Sequence, residues 1–170
     1  VIIEWLKSPL VYEEEAGFRA RLSALLDEIV EPQRVAKHYV GLLQKYAHDS
    51  QLESTRLKKF LYALRPAIAL AWMSARDFKS LPPMNMLECM EGVALPDEVA
   101  RETLLLIDIK KHTREMGEGL PHPVLRAFVA ETHARFTHMD KQVLRTAPDA
   151  DWRKEKANAF YRAEVLGGSS

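Results

Sequence analysis

The densest grouping of residues that could do chemistry is Arg56-Leu57-Lys58-Lys59-Phe60-Leu61-Tyr62-Ala63-Leu64-Arg65-Pro66. On a helix, Lys58, Tyr62 and Arg65 fall at i, i+4 and i+7 and share a face, with Lys59 about 100° round from Lys58 and three residues from Tyr62. Such a stripe suits a triphosphate: lysine and arginine take the phosphates, arginine in bidentate fashion, while the phenol stacks on a base or bonds a sugar. The competing structural reading is a solvated helix face whose lysine stems lie along apolar surface with their ammonium groups in water. The residues alone leave both open.

Other constellations carry less. In Lys110-Lys111-His112-Thr113-Arg114-Glu115 the cations suit a helix C-terminus, and Lys111 with Glu115 makes an i, i+4 ion pair, so structural roles absorb most of the motif. His38-Tyr39, with Lys45 further along, sits on an amphipathic segment where a histidine usually serves packing. No metal site is expected: His133 and His138 are five apart, so they point about 140° away from each other on a helix, and His112 and His122 are separated by glycine and proline. Asp149-Ala150-Asp151 has the x, x+2 spacing of magnesium ligands on a strand, yet it follows Pro148 and opens a helix, where capping carboxylates belong. A phosphate-cradling glycine loop and a nucleophile elbow are both missing from the sequence.

Lysine plus arginine and aspartate plus glutamate both number 24, so no global field draws the chain to nucleic acid or anionic membrane, and any polyanion site must be local. The single cysteine, Cys89, cannot form an intrachain disulfide and reads as a buried, inert thiol in a reducing, cytoplasmic setting. No apolar run reaches the roughly 18 residues of a membrane span. The opening Val1-Ile2-Ile3-Glu4-Trp5-Leu6 reads as starting inside an element, which suggests a truncated chain, and Gly167-Gly168-Ser169-Ser170 reads as a flexible tail.

The elements that must position these residues are helices. Phe18, Leu22, Leu25, Leu26 and Ile29 predict a first helix over about 14–30, and Pro32 opens a second with Val35, Tyr39, Leu42, Leu43 and Tyr46 inward, ending near His48. Ser54 or Thr55 caps a central third helix to about Ala75, with Leu57, Phe60, Leu61, Leu64, Ile68 and Trp72 inward and a kink expected near Tyr62 to Pro66. Asn85 starts a short fourth helix. Pro96 opens a fifth to about Met116, stopped by Gly117 and Gly119. Pro121 and Pro123 introduce a sixth with Leu125, Phe128, Val129, Thr132, Phe136, Met139 and Val143 inward, and Asp149 or Asp151 caps a seventh with Trp152, Phe160, Tyr161 and Leu166. The fold class is therefore all-α: an irregular bundle of six or seven helices in one domain over 1–166, with 167–170 as the tail.

The strings Glu4-Trp5-Leu6-Lys7-Ser8-Pro9-Leu10-Val11-Tyr12 and Lys58-Lys59-Phe60-Leu61-Tyr62-Ala63-Leu64-Arg65-Pro66, with His38-Tyr39, Trp72, Pro82-Pro83-Met84 and Lys110-Lys111 with Glu115, occur in an order that resembles a family of bacterial and phage nucleotidyltransferases of the DNA polymerase beta-like superfamily. The resemblance runs from Glu4 to about Leu166. It implies an N-terminal α/β portion bearing Gly-Ser and Asp-x-Asp, whose carboxylates hold magnesium for nucleotidyl transfer. Neither Gly168-Ser169 nor Asp149-Ala150-Asp151 can stand in for those motifs, so this chain alone is expected to be inactive and to hold no metal or cofactor. By the same resemblance, Lys58, Lys59, Tyr62 and Arg65, then Lys111, are the nucleotide-binding residues of a helical C-terminal region. Its partners are its own catalytic portion, a nucleoside triphosphate, and RNA or another acceptor, with homo-oligomers allowed. The alternative is a helical interaction or dimerisation module with no nucleotide role.

Overall fold

The computed structural model describes residues 15–47, 55–112, 118–139 and 151–166, except for the side chains of 47, 55, 56, 118, 138 and 139. The fold is an all-α bundle. Among the described residues there are seven helices: α1 (Phe18–Ile29), α2 (Pro32–Ala47), α3 (Leu57–Ser74), α4 (Met86–Glu91), α5 (Asp97–His112), α6 (Pro123–Met139) and α7 (Asp151–Leu166). One short antiparallel pairing accompanies them, β1 (Thr55–Arg56) against β2 (Glu118–Gly119), with Thr55 opposite Gly119 and Arg56 opposite Glu118. The sequence gives no sign of it. The chain divides into two compact units, Val1–Glu31 with Thr146–Ser170, and Pro32–Arg145.

In the larger unit α3 is the axis. Phe60, Leu64, Ile68, Leu70 and Met73 are fully buried, each worth about 1.5–3 kcal/mol of apolar burial. Ala63 and Ala67 are also buried and leave room for neighbouring helices. Pro66 lies buried inside the helix, which runs unbroken from Leu57 to Ser74. Ala36, Tyr39, Val40 and Leu43 of α2 and Leu125, Val129 and Phe136 of α6 complete the core, as their three- and four-residue spacing predicts. The buried hydroxyl of Thr103 is satisfied by donating to the carbonyl of Val99 at 2.7 Å, and that of Thr132 by donating to Phe128 at 2.7 Å.

Two boundaries show how local chemistry places the elements. Asn85 caps α4 by accepting from the Leu87 N–H at 3.0 Å. After α3 the chain turns through Asp77 and Phe78 with φ of 51° and 56°, in the left-handed region that non-glycine residues rarely adopt. The turn sends Phe78 into the core, edge-on to Phe136 at 6.0 Å, and that burial offsets the strain.

The smaller unit pairs α1 with α7. Phe18 meets Phe160 at 6.2 Å. Arg21 binds Glu164, Glu28 binds Lys156 and Glu31, just past α1, binds Arg153, so from Arg21 on, rising numbers meet falling numbers on α7 and the helices are antiparallel. Arg21 grips both Glu164 oxygens, Nε to Oε1 and Nη2 to Oε2, each at 2.8 Å. Helix α1 starts at Phe18, later than its apolar spacing suggests, because Gly17 stands before it at φ 76°. The expected roles of Val143, Asp149, the opening Glu4–Tyr12 string and the tail fall outside the described residues.

Candidate anion-binding site on α2 and α3

Helices α2 and α3 pack more extensively on each other than any other pair. Together they carry Arg34, Lys37, Lys45, Lys58, Lys59 and Arg65, with no aspartate or glutamate on either helix. In a chain with equal numbers of acids and bases, six cations and no acid on two packed helices are a local concentration of basic residues.

The first turn of α3 shows the same bias. It holds no acid, and Lys58 and Lys59 lie at the helix N-terminus, where the macrodipole disfavours cations and favours anions. Both lysines are exposed. Tyr62, one turn on from Lys58, is 48% exposed, and its ring lies 5.5 Å from that of Tyr46 on α2 at an interplanar angle of 36°. Lys45 sits over the Tyr46 ring at 5.3 Å. A pair of tyrosines flanked by Lys45 and Lys58 is thus built across the two helices.

Arg65 has a structural contact as well. It is half-buried, and its Nη2 donates to the Met84 carbonyl at 3.2 Å, with the Met84 sulfur at 3.9 Å. That contact joins Lys58–Pro66 to Pro82–Met84, two stretches far apart in sequence. Arg65 therefore spends part of its donor capacity holding the loop before α4. Lys110 and Lys111 are exposed in the last turn of α5. The β1–β2 pairing brings the chain from α5 back to the start of α3, so His112 is no more than six residue steps, about 20 Å, from Glu118 opposite Arg56. His38 is exposed beside the Tyr39 ring, 5.9 Å from it.

Tyr46 and Lys45 are the members that the sequence reading did not assign to the site. The available signal was charge segregation, an acid-free α2 next to an acid-free α3. Cys89 is buried under α3, its Sγ 4.0 Å from the Ile68 carbonyl. Burial pushes its thiol up to about 11, with Arg65 and Arg76 pulling the other way. It is an inert packing residue, as its surroundings predict.

The arrangement is an all-α fold in which two packed helices carry exposed lysines beside an exposed tyrosine. The chain belongs to the RNA repair pathway DNA polymerase beta family, whose profile matches residues 1–163. It is similar to the protein of Bacillus subtilis (strain 168) named "Uncharacterized protein YcgL", 25% identical over 143 residues, which are 84% of this chain and 54% of the relative. The chain therefore spans about half the length of that curated relative. No solved structure matches it. Among the described residues, no helix is long and apolar enough to cross a membrane.

Proposed function

We propose that this chain is the helical C-terminal region of a cytoplasmic, magnesium-dependent nucleotidyltransferase and that its α2–α3 face binds the nucleoside triphosphate. Lys58 and Lys59 take the phosphates, Tyr62 offers its ring to the base, Arg65 positions the loop at Met84 and contributes its remaining donors, and Lys111 acts from the neighbouring helix end. The observation that carries this reading is the acid-free pairing of α2 and α3 around an exposed Tyr62, in a chain of the polymerase beta-like family. The share of the relative outside the match leaves room for a separate catalytic portion.

Among the described residues, no three of His, Cys, Asp and Glu come together as a metal site. The metal-holding carboxylates are assigned to the other portion, and the isolated chain is expected to bind without turnover.

Isothermal titration and NMR shift mapping with each of the four ribonucleoside triphosphates test the reading. Perturbations should centre on Lys58 and Tyr62. Lys58→Ala should weaken binding about tenfold, since a charge-assisted phosphate contact is worth about 1.5 kcal/mol at the low end of its range. If none of the four shifts these resonances, alone or with the catalytic portion added, the proposal is wrong. The second reading, an interaction or dimerisation module, is favoured by Leu104, Leu105 and Ile109 of α5, each about half exposed. Under that reading the sedimentation mass rises with concentration and is indifferent to Lys59→Ala or Arg65→Ala.

A further inference from the structure

Helix α2 holds a glycine that the fold does not explain. Its buried stripe is Ala36, Tyr39, Val40 and Leu43, and Gly41 lies on the opposite side, near the middle of the exposed face. Glycine in a helix interior is less stable than alanine, so the position needs a reason. The two usual reasons fail. Gly41 is not among the residues with positive φ, and a Cβ built on it would meet nothing within 4 Å. The surroundings are specific, however: its helical neighbours three and four residues away are Lys37, His38, Gln44 and Lys45, all exposed. A bare stretch of helix backbone is thus framed by two lysines, a histidine and an amide, on a helix with no acid.

We infer that the outer face of α2 tracks the phosphate backbone of a single-stranded polynucleotide, with Gly41 as the point of closest approach and the Tyr46–Tyr62 pair as the platform for a base. This rests on the reading of α2–α3 as an anion-binding face, but not on the assignment of a triphosphate to α3. Lys37 and Lys45 are eight residues apart, about 12 Å along the helix, a span suited to two phosphates of a polymer separated by one more, rather than to one compact anion. The missing side chain lets a bulky sugar-phosphate chain lie close to the helix while the lysines reach round it. Lys45 then leads to the aromatic pair: it sits over Tyr46, whose partner Tyr62 keeps about half its surface open. Cations that follow a backbone next to a ring that stacks a base are the two components of sequence-tolerant single-strand binding. An acidic peptide would use the lysines but would have no need of the tyrosines or of the bare backbone.

The test is fluorescence anisotropy of a labelled oligouridylate with the full 170-residue chain at several salt concentrations. Gly41→Ala should raise the melting temperature by about 3 °C while weakening the oligonucleotide, a combination that damage to the fold cannot produce. Gly41→Leu should weaken it tenfold or more with the helix intact by circular dichroism. Lys37→Ala with Lys45→Ala should lower the salt slope by about 2. Wild-type affinity in Gly41→Leu overturns the inference, as does polyglutamate displacing the oligonucleotide as well as unlabelled oligouridylate does. Titration of the four triphosphates against Lys58→Ala is read separately. Binding of oligonucleotide that is sensitive to Gly41, with no triphosphate response, leaves this inference standing and removes the triphosphate assignment; the reverse pattern removes this inference alone.

Discussion

Gly92→Ala tests the packing that holds α4 against α3. Gly92 caps the C-terminus of α4 at φ −85°, a conformation alanine adopts freely, so any cost is steric. The added Cβ would stand 2.3 Å from Trp72 Nε1 and 2.8 Å from its Cδ1, about 1 Å inside ordinary contact distance. The indole cannot simply swing away: Trp72 is buried, and the Arg76 guanidinium lies 3.7 Å from its ring centroid while donating to the Gly92 carbonyl at 2.8 Å and to the Trp72 carbonyl at 3.3 Å. Either α4 lifts or the Trp72–Arg76 stack breaks. Overpacking of this kind costs about 1–3 kcal/mol, and weakening the Arg76 hydrogen bond adds about 1 kcal/mol. At roughly 2–4 °C per kcal/mol for a chain of this length, the melting temperature should fall by about 4–16 °C, followed by circular dichroism with tryptophan emission as a local reporter. Trp72→Phe removes the colliding nitrogen, so the double variant should recover part of the loss relative to the sum of the singles. A Gly92→Ala protein that melts with the wild type, or a double variant that is strictly additive, would refute this account of the contact.

Two further outcomes are expected. At pH 8 Cys89 should resist a thiol-reactive disulfide reagent in the folded protein and react at once in denaturant, since its thiol titrates at about 11 behind a buried surface; rapid native labelling would show that α4 opens readily. Hydrogen bonds from Arg21, then its charge, hold the Glu164 carboxyl below the usual carboxylate range. A depressed folded value means that this pair supports the α1–α7 unit above the ordinary glutamate range and is lost as pH falls through the folded value; Glu164→Gln should therefore flatten the acid side of its stability curve, and a parallel shift at all pH values would contradict the assignment.

The helices were legible because their signals are local. Three- and four-residue spacing of apolar residues, Pro32 and Pro123 at helix starts and Asn85 as a cap each act within a turn or two, and the observed elements follow them. What escaped depends on long-range geometry. The β1–β2 pairing joins residues more than 60 apart with only two residues on each side, too short for any alternating pattern. Nothing within its helix reveals that one donor of Arg65 goes to the Met84 carbonyl. Tyr46 read as core because its spacing is a core spacing; only the approach of α3 makes it the partner of Tyr62. Gly41 carries no sequence signal of its own, since a helical glycine becomes informative only once the space around it is known to be empty.

The acid-free character of α2 and α3 has a consequence for the remainder of the molecule. With their six cations set aside, 18 basic side chains face 24 acidic ones, so everything outside this helix pair is net negative. A neutral isoelectric balance thus conceals charge that is unevenly distributed along the sequence. If the helix pair acts as the polyanion site proposed above, the capture rate should drop steeply with ionic strength although the protein as a whole carries no charge.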